Sequence, residues 1–286
     1  MKVSMFILSI QLLFSFQTLA VINGKDNRTL VENYPNQKIR RLAKSVAARV
    51  DNETIETLRS EDGKNIELYL YSHQEYNEVC EEEKFSKENI LSDCTGFLIA
   101  PDILMTAGHC IESEADCKDF SWVFNFESKT EVIKDKEIYK CVKIYKHKLR
   151  NATNTRTQDY AIIKLHKRVQ GVEPLKFSNK KDLSNGTRVL TIGHPSGLPK
   201  IVTDNGIATL NRAYTFTTTL DTYGGNSGSP VFNAKTLLVE GILVQGANDY
   251  NLIESRSCSK SDRSTGFTEV VHSIHNIKEL RNIIKK

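Results

Sequence analysis

Three short stretches hold the residue types that bond-making chemistry needs. The first is Asp221-Thr222-Tyr223-Gly224-Gly225-Asn226-Ser227-Gly228-Ser229-Pro230, where a serine sits among small neighbours and the apolar pair Val231-Phe232 follows. Small residues let a backbone turn sharply and bring N–H groups close to a reacting atom. A hydroxyl held there becomes a nucleophile if a base reaches it. Thr106-Ala107-Gly108-His109-Cys110 offers that base, and Asp159, at the head of Asp159-Tyr160-Ala161-Ile162-Ile163-Lys164-Leu165, offers a carboxylate to orient it. Taken singly, each has an ordinary explanation. A Gly/Ser turn is usually a loop, a lone His a satisfied surface or core residue, and an Asp opening a strand a turn former. Taken together they describe acyl transfer through a covalent intermediate.

An α/β-hydrolase elbow does not fit, because Ser229 stands where G-x-S-x-G requires its second glycine, and that fold places His after Ser. The order His109, Asp159, Ser227 is instead that of chymotrypsin, and from about Val21 onward the chain resembles the chymotrypsin/trypsin family of serine endopeptidases. The strand opened by Asp159 is similar to the family's D-[IY]-A-L-x-[KR]-L. The resemblance implies that Ser227 attacks the scissile carbonyl, that His109 takes and returns the proton, and that Asp159 holds the imidazole. It implies an oxyanion hole from the N–H groups of Gly225 and Ser227, and no metal or organic cofactor. The motif G-N-S-G-S-P and the start Val21-Ile22 are closer to bacterial secreted members, including glutamyl endopeptidases. Asn226 replaces the trypsin Asp that pairs with a newly cut terminus, so trypsin-type activation is not expected.

The same resemblance implies the fold: all-β, two packed antiparallel six-stranded barrels with a C-terminal α-helix. An extension is expected over residues 21–44, the first barrel over about 45–167, the second over about 175–271 and the helix over about 273–285. The residues alone say only that short apolar runs recur between turns, and that Ile274, Ile277, Leu280, Ile283 and Ile284 keep helical spacing. Glu81-Glu82-Glu83-Lys84 reads as a solvated loop face. His194 reads as a structural loop residue, and His272 and His275 as solvated.

Residues 1–20 have the pattern of a cleaved secretory signal, with Lys2, an apolar run to Phe16 and small residues at Thr18-Leu19-Ala20. A secreted protein, extracellular or periplasmic, without a membrane anchor after cleavage, is therefore expected, beginning at Val21. A net charge of +4 is too small to argue for nucleic acid. Six cysteines, none in a C-x-x-C pair, suit an oxidising compartment rather than a zinc ribbon. Cys94 and Cys110 have the spacing that brackets the catalytic His in the family, which implies a bond. Cys117–Cys141 is the next choice, because both flank neighbouring strands, and Cys80–Cys258 remains.

For substrates, the resemblance implies proteins or peptides. Asp221, six residues before Ser227, corresponds to the floor of the primary specificity pocket in trypsin-like enzymes, with Thr222, Leu243, Gly246 and Val21 around it. An acid there favours Lys or Arg. Small apolar residues rank second and glutamate third, because Leu243 occupies the strand where glutamyl endopeptidases carry a pocket histidine. Two other classes compete with an endopeptidase: a catalytically silent binding homologue and a serine esterase on the same fold.

Overall fold

The computed structural model describes residues 22–149, 158–178, 183–210, 214–263 and 268–284. The leader and Val21 lie outside the described residues. Six strands close the first barrel: β1 (Val46–Asp51), β2 (Cys94–Ala100), β3 (Ile103–Thr106), β4 (Phe120–Val123), β5 (Ile138–Leu149) and β6 (Asp159–Leu165), in the order β1-β2-β3-β6-β5-β4. Every residue of β2 and β3 is buried. Both strands are near-continuous apolar runs because the barrel interior covers one face and the second barrel the other. Gly96 is required in β2, since a Cβ there would come within 2.6 Å of both Leu104 and Trp122.

The second barrel is built from β7 (Arg188–Gly193), β8 (Ile201–Thr209), β9 (Thr215–Thr218), β10 (Pro230–Asn233), β11 (Val239–Gln245) and β12 (Glu269–Ser273), closed by the pairing of β8 with β9. One hydrophobic cluster runs through both units, with Phe97, Met105 and Ile162 from the first and Ile192, Phe232 and Ile242 from the second. Two polar side chains help lock the interface. Buried Lys200 donates to the Phe124 carbonyl at 2.7 Å, and His194 stacks on Phe126 with ring centroids 5.8 Å apart.

Outside the barrels, residues 52–57 form a helix whose first turn is capped by the Asp51 side chain. The structure differs from the sequence expectation in three places. The closing helix shrinks to Leu280–Ile283, preceded by a 3-10 turn at Ile274–Asn276. Its apolar residues still bury Ile274, Ile277 and Leu280, but no side chain caps its start. Glu83 is not a solvated residue: its carboxylate accepts from the backbone N–H of Ser261 at 3.0 Å and from buried Arg28. His272 is fully buried, stacked on Tyr160 with centroids 5.1 Å apart. That follows from the position of β12 between β11 and β9, with Tyr160 of the first barrel covering its other face.

All six cysteines are paired, as Cys94–Cys110, Cys117–Cys141 and Cys80–Cys258. The first closes a loop of 16 residues, worth about 3 kcal/mol in the chain-entropy account, and it ties the strand beside Ser227 to the turn that carries His109. No described helix is long and apolar enough to cross a membrane.

Candidate active site

The base comes from the turn after β3. Gly108–Cys110 forms a 3-10 turn, and Asp159, the first residue of β6, faces it. The Asp159 carboxylate accepts three hydrogen bonds, from Gly108 N at 2.5 Å, His109 N at 3.1 Å and His109 Nδ1 at 2.8 Å. A buried carboxylate with three donors is satisfied, and the bond to Nδ1 fixes the tautomer that leaves Nε2 free to accept a proton. Gly108 can only be glycine here, since a Cβ would lie 2.2 Å from the Lys148 carbonyl.

The nucleophile turn comes from the second barrel. Gly225 and Gly228 have φ of +85° and +89°, a region that non-glycine residues avoid. A Cβ on Gly228 would lie 2.0 Å from Thr95 O, and one on Gly225 2.4 Å from His194 O. The turn is held from all sides. Thr95 N donates to Ser227 O at 2.8 Å, Thr95 Oγ1 to Gly225 O at 2.8 Å, and Gly228 N to Leu243 O at 2.8 Å. The Ser227 carbonyl lies 3.7 Å from Cys110 Sγ, so the serine and the residue after His109 are neighbours. The Ser227 hydroxyl makes no hydrogen bond among the described residues. Such bonds are often long in free enzymes and tighten with substrate.

Backbone donors around the serine divide cleanly. Gly224, Asn226, Gly228 and Ser229 each give their N–H to a partner. Among the described residues, the N–H groups of Gly225 and Ser227 give theirs to none. Two free donors beside a candidate nucleophile are what a developing oxyanion requires. Cys94, His109 and Cys110 also form the one cluster of metal-type donors among the described residues. The two sulfurs are bonded to each other, so neither is a thiolate ligand.

Around the expected specificity pocket the positions separate. The Leu243 side chain is buried in a cluster of the second barrel with Leu220 and Val271. The Leu243 backbone brackets the nucleophile turn, with Leu243 N donating to Ser229 O at 2.9 Å. Asp221 is 1% exposed and accepts from Asn23 N at 2.7 Å, while its Oδ2 is buried with no partner. Thr222 donates to Glu269, and the same carboxyl lies against Gly246, where a Cβ would come within 2.5 Å of it. Glu269, a residue with no signature in the sequence, thus stands where the pocket was expected. Burial, with Asp249 and Asp221 nearby, pushes the Glu269 carboxyl well above the usual range. Burial also pushes Asp221 and Asp249 up to about 6.

Tyr223 lies in the same turn, four residues before Ser227. It is held by Ile22, by the Arg28 guanidinium 4.2 Å above its ring, and by a 2.6 Å hydrogen bond to Ser261. Asn226 Oδ1 accepts from Ser229 Oγ at 3.3 Å, and both press on Gly193, whose missing side chain makes room for them.

Residues 94–242 match the family described as the trypsin-like peptidase domain. The chain belongs to that family. No curated protein sequence matches it. Among solved structures, a Glu endopeptidase superposes with a TM-score of 0.52 at 17% identity, covering 93% of this chain and 100% of that one. The active form of the Rv3671c protease from M. tuberculosis gives 0.48 at 15% identity, covering 87% of this chain and 84% of its own. The family and the paired barrels fix the fold as chymotrypsin-like and the broad class as a peptidase.

Proposed function

We propose that the protein is a secreted serine endopeptidase in which Ser227, His109 and Asp159 act as one unit. The observation that carries this reading is the Asp159 carboxylate on His109 Nδ1 beside a serine turn in which, among the described residues, the N–H groups of Gly225 and Ser227 have no partner. Ser227 Oγ attacks the scissile carbonyl as His109 Nε2 takes its proton, and the carbonyl oxygen becomes an oxyanion held by the two N–H groups. Collapse of the intermediate expels the amine, which receives the proton from His109, and leaves an acyl-enzyme on Ser227. A water activated by His109 then releases the acid. Each oxyanion donor contributes about 2.7–4 kcal/mol. Secretion is supported by three disulfides and by the leader pattern. Amino-terminal sequencing of the exported protein is expected to start at Val21. A start after Arg41 or Lys44 contradicts this, since Ile22, Arg28, Val31, Ile39 and Ala43 are all buried in the fold.

Cleavage after Lys or Arg is the substrate preference that the acids support best, with Glu269 beside Thr222 and Gly246, and Asp221 behind them. A basic side chain entering there would form charge-assisted hydrogen bonds and relieve three carboxyls of their mutual repulsion. The preference has a pH signature. Carboxyls raised to about 6 are ionised above that pH and neutral below it. The ratio of kcat/KM for an Arg substrate to that for its norleucine analogue is therefore expected to fall as pH drops through about 6. Taking the ratio cancels any pH effect common to both substrates. Glu269→Gln or Asp221→Ser should each cut the ratio by about tenfold or more. Cleavage after Glu, untouched by Asp221→Ser, overturns this assignment.

A further inference from the structure

A cleft of about 950 Å³ opens beside the serine turn, on the face that Gly224 and Gly225 share with Asp249 and Tyr250. Its far wall belongs to the first barrel and its outer chain: Asp51 and Glu53 at the start of helix Asn52–Thr57, and Tyr69, Tyr71 and Tyr76. No residue of β11 lines it. That matters for direction. The pairing of β10 with β11 begins at Pro230 and Ile242, so beyond Leu243 the β11 edge facing Ser227 has no strand partner. It is the natural track for the extended acyl part of a peptide. The leaving-group part must then depart on the other side of the oxyanion turn, where the cleft lies.

The cleft is built rather than incidental. His73 Nε2 bonds Tyr250 OH at 2.9 Å, Tyr250 OH bonds Ser196 Oγ at 2.7 Å, and Leu91 N donates to Gly197 O at 2.9 Å. Cys80–Cys258 ties the same outer chain to the strand that follows Tyr250. Its chemistry has one sign. Four acids line it against one arginine, and Arg49 is already held by Asp93 through two bonds of 2.8 and 2.6 Å. That leaves Asp51, Glu53 and Asp249 without a cation in the lining. At its mouth stand Tyr69, Tyr71 and Tyr76, exposed at 83%, 69% and 66%, three of the most exposed large side chains of apolar character among the described residues.

We propose that this cleft is a subsite for the leaving-group side of the substrate and takes a Lys or Arg side chain in the first or second position after the scissile bond. The tyrosine faces receive the cation and the aliphatic stem, and Asp51 and Glu53 receive the charge. The inference rests on the endopeptidase reading above. It is tested with quenched peptides of one acyl sequence and Arg, Leu, Ala or Glu at each of those two positions, cleaved by the full mature protein. Arg is expected to exceed Leu by about three- to tenfold in kcat/KM, with Glu lowest. The order should flatten in 1 M salt, where the Debye length is about 3 Å. The double variant Asp51→Asn, Glu53→Gln keeps a capping side chain at residue 51 and should bring the Arg-to-Leu ratio below about twofold, while Tyr69→Ala with Tyr71→Ala lowers turnover of both peptides. A flat or acid-favouring profile in the wild type, or an Arg-to-Leu ratio unchanged by the double variant, overturns the inference while leaving the endopeptidase reading intact. Absence of turnover with every peptide removes that reading, and the inference with it.

Discussion

Replacing Ser227 by Ala is expected to lower peptide hydrolysis by about 10⁴- to 10⁶-fold, and His109→Ala to do nearly the same, while the double variant loses little more. The effects do not add because each residue works only through the others. Ser227 has no catalytic strength without a base, and His109 has no proton to move without the hydroxyl. The fold should survive both changes. Ser227 is half-buried and its backbone, not its side chain, bonds Thr95. A circular dichroism melt shows whether it does, and a progress curve with a chromogenic peptide gives the rate. Residual activity near wild type in Ser227→Ala would remove the mechanism, whatever the fold.

The largest expected effect on stability is at Gly228. Alanine there must adopt a φ of +89° and place its Cβ 2.0 Å from the Thr95 carbonyl and 2.9 Å from Ala107 N. Both of those neighbours are backbone, held in β2 and at the end of β3, so neither can move away alone. The expected cost is on the order of 3–4 kcal/mol, which lowers Tm by roughly 6–15 °C in a domain of this size. Activity should fall further than stability, because the same shift carries Ser227 away from His109. The comparison is Gly24→Ala, which has φ +81° but open space around it and should cost only the backbone strain. Equal melting temperatures for the two variants would show that the packing argument at Gly228 is wrong.

The residues proposed for catalysis stand out in the sequence because each sits in a short continuous stretch whose neighbours have to be what they are. Gly108 makes room for a backbone carbonyl, Gly225 and Gly228 take positive φ, and Asp159 must open a buried strand. Glu269 was not legible. Its meaning comes from β12 lying beside the end of β11, which brings a residue far along the chain to Thr222 and Gly246, and no local pattern encodes that register. His272 reads as solvated because it stands near the start of the expected closing helix, yet packing between barrels buries it. The outer chain over residues 68–92 carries little secondary structure of its own. Its place is set by Cys80–Cys258 and by His73, partners that lie far away in sequence. Local chemistry thus survives a reading of the sequence, and pocket walls made by chain crossings do not.

The most direct test of the central claim is covalent labelling of the purified mature protein with an organophosphonate, followed by peptide mapping. One adduct is expected, on the peptide that carries Ser227, with loss of activity in proportion to labelling. His109→Ala should slow labelling by orders of magnitude although Ser227 is still present, because the hydroxyl then lacks its base. A wild-type protein that cleaves peptides but takes no label at Ser227, or takes it equally fast without His109, would contradict the account.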